Sequence, residues 1–326
     1  MISAETESIK KQLLDRKNKL QHSIRTVKND NNLLELLNEV DSALERIESK
    51  TYGFCEVCHD PIEDFRLKED PLLRFCLDHL TTKQQRALEQ DLKLASKIQN
   101  ALLPKNTASV DGWEYSYHYE PAEIVSGDYC DVVIMNQNSK DNLFILGDVS
   151  GKGVSASMLM SHLHAMFHSL SSINLGVSEL VERANRLFCE STLSTHYSTL
   201  AAVLVHNSGD VEVCNAGHCP PLLLTKSGVI KVESTGVPIG LFCSSKFGVN
   251  KYKLESGDSI ILYSDGLSEA QNYKEEFGEN RILSIANSFT NSNPQKIIAA
   301  YLDELKSFLS GSLKSDDLTL LVIRKQ

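Results

Sequence analysis

The sequence predicts an α+β chain, and three observations carry that prediction. Apolar residues recur at helical spacing before Pro104, short β-rich runs alternate with glycine-containing turns after it, and a compact cysteine cluster interrupts the helical part. The 326 residues are long for one ordinary core. They divide into a helical hairpin over 1–50, a cysteine-bearing module over 51–80, a linker helix over 81–103 and a larger mixed domain over 104–326.

Leu33, Leu37, Val40, Leu44 and Ile47 step by four, three, four and three, which places them on one helical stripe. Leu13, Leu20, Ile24 and Val27 mark a weaker amphipathic helix before it, and the polar run KNDNN over 28–32 separates the two as a hairpin tip. Leu88, Leu92, Ala95 and Leu102 resume the spacing, with Gln99 in the one polar slot, until Pro104 ends the pattern. Periodicity does not name a helix's partner: a homodimer seam and packing on its own domain both stay open.

Beyond Pro104, the runs NLFILGD, TLAAVLV, SIILYSD and LTLLVI read as strands. Helices are expected over 155–171, 176–193 and 294–309, too irregularly placed for strict βαβ alternation. An antiparallel sheet with packed helices fits this order.

Lys and Arg total 33 against 43 Asp and Glu, for a formal charge of −10, so broad attraction to a nucleic-acid backbone is disfavoured. No apolar run reaches the roughly 18 residues needed to cross a bilayer, and the polar N-terminus has no signal-peptide region. The expected location is cytoplasmic, with no membrane partner. Eight cysteines are then better read as reduced thiols or metal ligands than as disulfides.

Cys55 and Cys58 form a CxxC, 17 residues intervene, and Cys76 and His79 form a CxxH. That spacing matches a four-ligand Zn²⁺ module, and a segment of about 30 residues buries too little apolar surface to fold without such a metal. Full coordination implies a structural ion. The alternatives are a metal-free remnant with His79 at the surface, and His59 as the fourth ligand, which directly follows Cys58 and would strain the site. The stretch VDSALERIESKTYGFCEVCHDPIEDFRLKEDPLLRFCLDH resembles the zinc-finger region of DksA/TraR proteins over about 40 residues. In that family a coiled coil carries an acidic tip into RNA polymerase. The tip here offers only Asp30 and lacks the paired aspartates, which argues against polymerase as a partner.

In the larger domain, apolar runs end on acids: FILGD delivers Asp148, IILYSD delivers Asp265, and Asp316 with Asp317 opens DDLTLLVI. SGDYCD adds Asp128 and Asp131. Such a set, if convergent, suits hard divalent cations, since like charges gathered without them repel. Taken singly, each acid reads as an ordinary strand-end or turn aspartate. GDVSGKG and SDGLSEA supply glycines for tight turns beside the acids. GDVSGKG is no P-loop, because Leu146 stands five residues before Gly151 and Gly153 follows Lys152.

Taken in order, VSGDYCD, GDVSGKG, NAGHCPPLLL, GVPIGL, YSDGLSEA and DDLTLLV resemble the motifs of the SpoIIE/RsbU branch of metal-dependent protein phosphatases, the PPM family, over about 200 residues. ASKIQNALLP is similar to the linker helix before such domains. The resemblance implies a β-sandwich flanked by helices and a two-metal Mn²⁺ or Mg²⁺ centre that hydrolyses phosphoserine or phosphothreonine on a protein, without a covalent phosphoenzyme. Carried over by motif, Asp128, Asp148, Asp265 and Asp316 are the catalytic metal-site acids, with Asp148 bridging, the Val149 carbonyl assisting and Asp317 the second candidate of its pair. Ser126 stands where the family commonly has glycine, and Asp131 falls outside the direct ligands. The implied substrate is a phosphorylated anti-sigma-factor antagonist of the STAS type, with the zinc module regulating or targeting the enzyme. The competing reading is a DksA/TraR-like transcription-associated binding protein whose phosphatase-like part is a non-catalytic platform; retention of every metal-site aspartate argues against it.

His164 and His168 share the i, i+4 face that zinc proteases use, but Ala165 replaces the required glutamate, so a helix-face or core role is expected for SHLHAMFH. His218 in NAGH has no assigned duty. Cys130, Cys189, Cys214, Cys219 and Cys243 are expected to pack as small hydrophobes.

Overall fold

The computed structural model describes residues 4–26, 31–79, 82–135, 141–173, 175–193, 195–273, 275–311 and 316–326. Val27 and residues 28–30 of the expected hairpin tip, Asp30 included, lie outside them. The chain divides into two compact units, Met1–Asp91 and Leu92–Gln326.

In the first unit, α1 (Ala4–Thr26) and α2 (Asn31–Glu48) close a small core of Leu13, Val40, Ala43, Leu44 and Ile47. Three members of the sequence stripe are therefore buried together, as helical spacing demands. Arg46, on the same helix, donates from its guanidinium to the carbonyls of Leu73 (2.8 Å) and Leu72 (3.2 Å), which ties α2 to the cysteine module. That module contains the short helix α3 (Asp64–Glu69) and a 3-10 turn at Leu77–His79, around Cys55, Ile62, Leu67 and Cys76. Helix α4 (Thr82–Leu102) follows.

The second unit has two antiparallel sheets. One is ordered β1-β2-β11-β10-β7-β8 and the other β3-β4-β5-β6-β9, with β1 (Thr107–Val110), β2 (Trp113–Glu120), β3 (Asp128–Ile134), β4 (Asn142–Val149), β5 (Ser198–Val205), β6 (Asp210–Ala216), β7 (Leu222–Thr225), β8 (Gly228–Lys231), β9 (Asn250–Lys253), β10 (Ser259–Tyr263) and β11 (Leu318–Lys325). Successive side chains point to opposite faces, and the central strands are apolar on both because each face packs against another layer. Phe144 and Leu146 of β4 and Ala201 and Val203 of β5 meet Ile260, Leu262, Leu321 and Ile323 between the sheets. The opposite faces of the same strands bury Leu143, Ile145, Leu200 and Ala202 against α5 (Gly153–Leu170) and α6 (Val177–Ser191). On the other outer face, Ile261, Leu320 and Val322 pack on α8 (Gly278–Ser288) and α9 (Pro294–Leu309). The result is a helix–sheet–sheet–helix sandwich. The three helices expected from sequence form within a few residues of their expected bounds, and α9 begins with Pro294 behind Asn293, whose side chain caps the Lys296 amide.

Candidate active site

Antiparallel register brings the acids together. In one sheet, Asp128 at the start of β3 stands opposite Asp148 near the end of β4. In the other, β10 pairs with β11 with Tyr263 opposite Leu320, so Asp265, opening the short helix α7 (Asp265–Ser268), returns beside Asp316 and Asp317 just before β11. A hydrogen bond of 2.5 Å from the Thr319 hydroxyl to Asp128 Oδ2 joins β11 of one sheet to β3 of the other.

Close backbone approach at two glycines makes this possible. A side chain on Gly266 would overlap the carbonyl of Asp317, and one on Gly127 would stand 3.1 Å from the Val149 carbonyl and 3.4 Å from Asp148 Oδ1. Asp317 binds the turn before β3: its Oδ1 accepts from the Ala122 amide (2.7 Å) and its Oδ2 from the Gly127 amide (2.8 Å). Within the DD pair, Asp316 instead faces Lys152, whose ammonium lies 3.0 Å from its Oδ2.

The electrostatics are those of crowded anions. Burial, then the charge of Asp148, pushes the Asp128 carboxyl well above the usual carboxylate range, against the opposing hydrogen bond from Thr319. Asp148 is pushed up to about 7 by burial and by Asp265, Asp316 and Asp317, with Lys152 opposing. Asp265 rises through burial, Asp316 and Glu269. Each of these acids feels at least one of the others, so four distant stretches of chain share one field. The donors are carboxylate oxygens with the Val149 carbonyl close by, a set that suits hard divalent cations and would be relieved by them. Among the described residues these acids do not form a cluster with every ligand atom within 4.8 Å of the rest.

Asp131 does not join them. Three residues on from Asp128, it points to the opposite face of β3, where its Oδ2 accepts from the Tyr129 hydroxyl (2.8 Å) and lies 2.9 Å from His168 Nε2. His218 is buried, with Nδ1 2.8 Å from the hydroxyl of Thr199, the residue opposite Asp148; burial lowers its pKa to about 4. Cys130 and Cys214 are buried as expected, whereas Cys243 is exposed.

Two contributors escaped the sequence reading, Thr319 and Lys152; a third, Gln99, was visible only as a polar break in an apolar stripe. Its side-chain amide donates to the Ser126 carbonyl (2.6 Å) and accepts from the Ser126 amide (3.0 Å). At Gln99, then, the helix packs on its own domain.

In the first unit, Cys55, Cys58, Cys76 and His79 place one ligand atom each within 4.8 Å of the others. Cys58 and Cys76 sulfurs are 3.7 Å apart, and Cys76 Sγ is 3.3 Å from His79 Nδ1. His59 is exposed and outside the quartet, its backbone at φ +62° turning the chain after Cys58. Burial raises the Cys55 thiol, but amides of Cys58, Cys76 and Val57 outweigh it and bring the pKa down to about 6.

Two antiparallel sheets between helical layers, with acids at the strand ends that share one electrostatic field, define a protein of the metal-dependent phosphatase fold. The SiaA-PP2C domain of Pseudomonas aeruginosa shares this fold at a TM-score of 0.65 and 18% identity, over 76% of this chain and 100% of that one. The profile described as Stage II sporulation protein E (SpoIIE) matches residues 138–326, and the chain belongs to that family. Protein IcfG of Synechocystis is 25% identical over 263 residues, 72% of this chain and 41% of IcfG, so the chain spans well under half of that relative. Phosphoserine phosphatase RsbU of Bacillus subtilis is 23% identical over 246 residues, 74% of this chain and 72% of RsbU.

Proposed function

We propose that the chain is a metal-dependent protein-serine/threonine phosphatase whose Asp128, Asp148, Asp265 and Asp316, with the Val149 carbonyl, hold two Mn²⁺ or Mg²⁺ ions. The observation that carries this reading is the single field shared by Asp148, Asp265, Asp316 and Asp317. Bound there, the ions supply Lewis acidity toward water and toward the phosphoryl oxygens. The remaining duties fall to the chain. Thr319 donates to Asp128 and favours its ionised, ligating form; Asp317 fixes the turn that presents Asp128 and is a positioning residue by its geometry, although its charge belongs to the same set. Lys152 pairs with Asp316 and orients it.

For the substrate, the motif resemblance and the similarity to RsbU support a phosphoserine or phosphothreonine on a regulatory protein of the STAS antagonist type. The donor chemistry of Cys55, Cys58, Cys76 and His79 supports one structural Zn²⁺ in a regulatory or targeting module like that of DksA/TraR proteins. A homodimer through α4 would use Leu94 and Ile98, which are exposed, since Gln99 already faces its own domain.

The test is phosphate release from an aryl phosphate and from phosphoserine proteins, with and without Mn²⁺. Activity that needs the metal and is lost in Asp148→Asn and Asp265→Asn, with folding retained, supports the enzyme. A full-length chain inert under every metal condition overturns it in favour of a binding role.

A further inference from the structure

Asp131, His164 and His168 form a second cluster of metal-ligand type, separate in chemistry from both sets already described. His164 and His168 are one turn apart on α5, with rings stacked at 4.1 Å between centroids. Both present Nε2 to one carboxylate oxygen of β3: His168 at 2.9 Å and His164 at 3.8 Å from Asp131 Oδ2. All three ligand atoms lie within 4.8 Å of one another.

The surroundings hold the carboxylate in place. Asp131 is 3% exposed at its side chain; the Val132 amide donates to its Oδ1 (2.7 Å) and the Tyr129 hydroxyl to its Oδ2 (2.8 Å). Such outer partners orient a ligating carboxylate and leave it a further lone pair. The side chain of His168 is 45% exposed, so an ion has a route in and solvent can complete the coordination.

We propose that Asp131, His164 and His168 bind a divalent transition-metal ion of the Zn²⁺ class through two imidazoles and one carboxylate. Mixed nitrogen and oxygen donors favour Zn²⁺, Co²⁺ or Ni²⁺ over Mg²⁺, which distinguishes this site from the all-oxygen acids; the absence of sulfur distinguishes it from the cysteine quartet. The ion cross-links α5 to β3. Because β3 starts at Asp128 and α5 follows directly on the GDVSGKG turn after Asp148, the cross-link sits on the two elements that lead out of the acidic site.

The test is the metal content of the full chain after dialysis against micromolar Zn²⁺ in millimolar Mg²⁺, for the wild type, His168→Ala and the His164→Ala/His168→Ala pair. The wild type should retain one equivalent more than the double variant, with circular dichroism unchanged. Loading with Co²⁺ assigns that equivalent: its loss should leave the thiolate-to-cobalt absorption of the cysteine site intact. Equal metal content in all three proteins, or a loss that removes the thiolate band, overturns the proposal and leaves a plain His–Asp hydrogen bond. His168→Ala serves as the milder variant should the pair disturb packing.

Discussion

The side chain of Gln99 makes two hydrogen bonds to the backbone of one residue, Ser126, accepting from its amide at 3.0 Å and donating to its carbonyl at 2.6 Å. Both residues are buried. The amide thus stands in for a neighbouring strand beside the turn that presents Asp128, whose own amide donates to Ser126 Oγ (3.0 Å).

Gln99→Ala removes these partners of the buried Ser126 amide and carbonyl, which costs about 1–3 kcal/mol for a buried unsatisfied group. The expected outcome is a lower melting temperature and a weaker apparent affinity for Mn²⁺ in the same variant. A variant with wild-type values of both would show that the turn does not depend on the helix.

Asp148→Asn removes the acid on which the charges of Asp265, Asp316 and Asp317 converge. Under the proposed function, Mn²⁺-dependent phosphate release falls by more than about 100-fold. In chelator the same variant melts higher than the wild type, because a repelling charge has been removed from a partly buried site. A lower melting temperature in chelator would contradict the crowded-anion account.

Gly266→Ala tests close approach rather than charge. The added methyl would overlap the Asp317 carbonyl, so α7 and the start of β11 must separate. Stability should drop by about 1–3 kcal/mol, the range for overpacking, and activity should fall with it. Denaturant titration beside a phosphatase assay reads both.

His218 supplies a pH dependence. Its folded pKa of about 4 lies below the ordinary value of 6.5, through burial. A depressed histidine contributes stability that is complete above the unfolded pKa and is lost as pH falls from there toward the folded one. Between pH 7 and pH 5 this amounts to about 2 kcal/mol. His218→Gln should therefore lose less stability over that interval than the wild type, measured by urea unfolding at both pH values; parallel losses would count against a neutral buried imidazole.

Cys58→Ser removes one of the four donors of the quartet. Zinc content should fall by one equivalent and limited proteolysis should open within residues 51–79, because a segment this short depends on its metal for folding energy. Unchanged protease resistance in the metal-free variant would refute a folding role.

Much of the candidate site was legible because it is written in short patterns. Asp148 and Asp265 could be found as acids that terminate apolar strands, and the cysteine quartet by its intervals. Asp131 shows the limit of that reading: it lies within the SGDYCD motif, but strand alternation turns it toward α5. The i, i+4 spacing of His164 and His168 was visible, while the carboxylate that they share was not.

The amino-acid order alone therefore determined the periodicities, the end of the helix before Pro104, the buried strands and the identity of the acids, since these rest on neighbours within a few residues. Tertiary structure decided which acid faces which partner. Thr319 reaches Asp128 across 191 positions and Gln99 reaches Ser126 across 27. Contacts at that range are set by sheet register and by the packing of layers, and a one-residue change of register would send Thr319 or Asp128 to the opposite face of its strand.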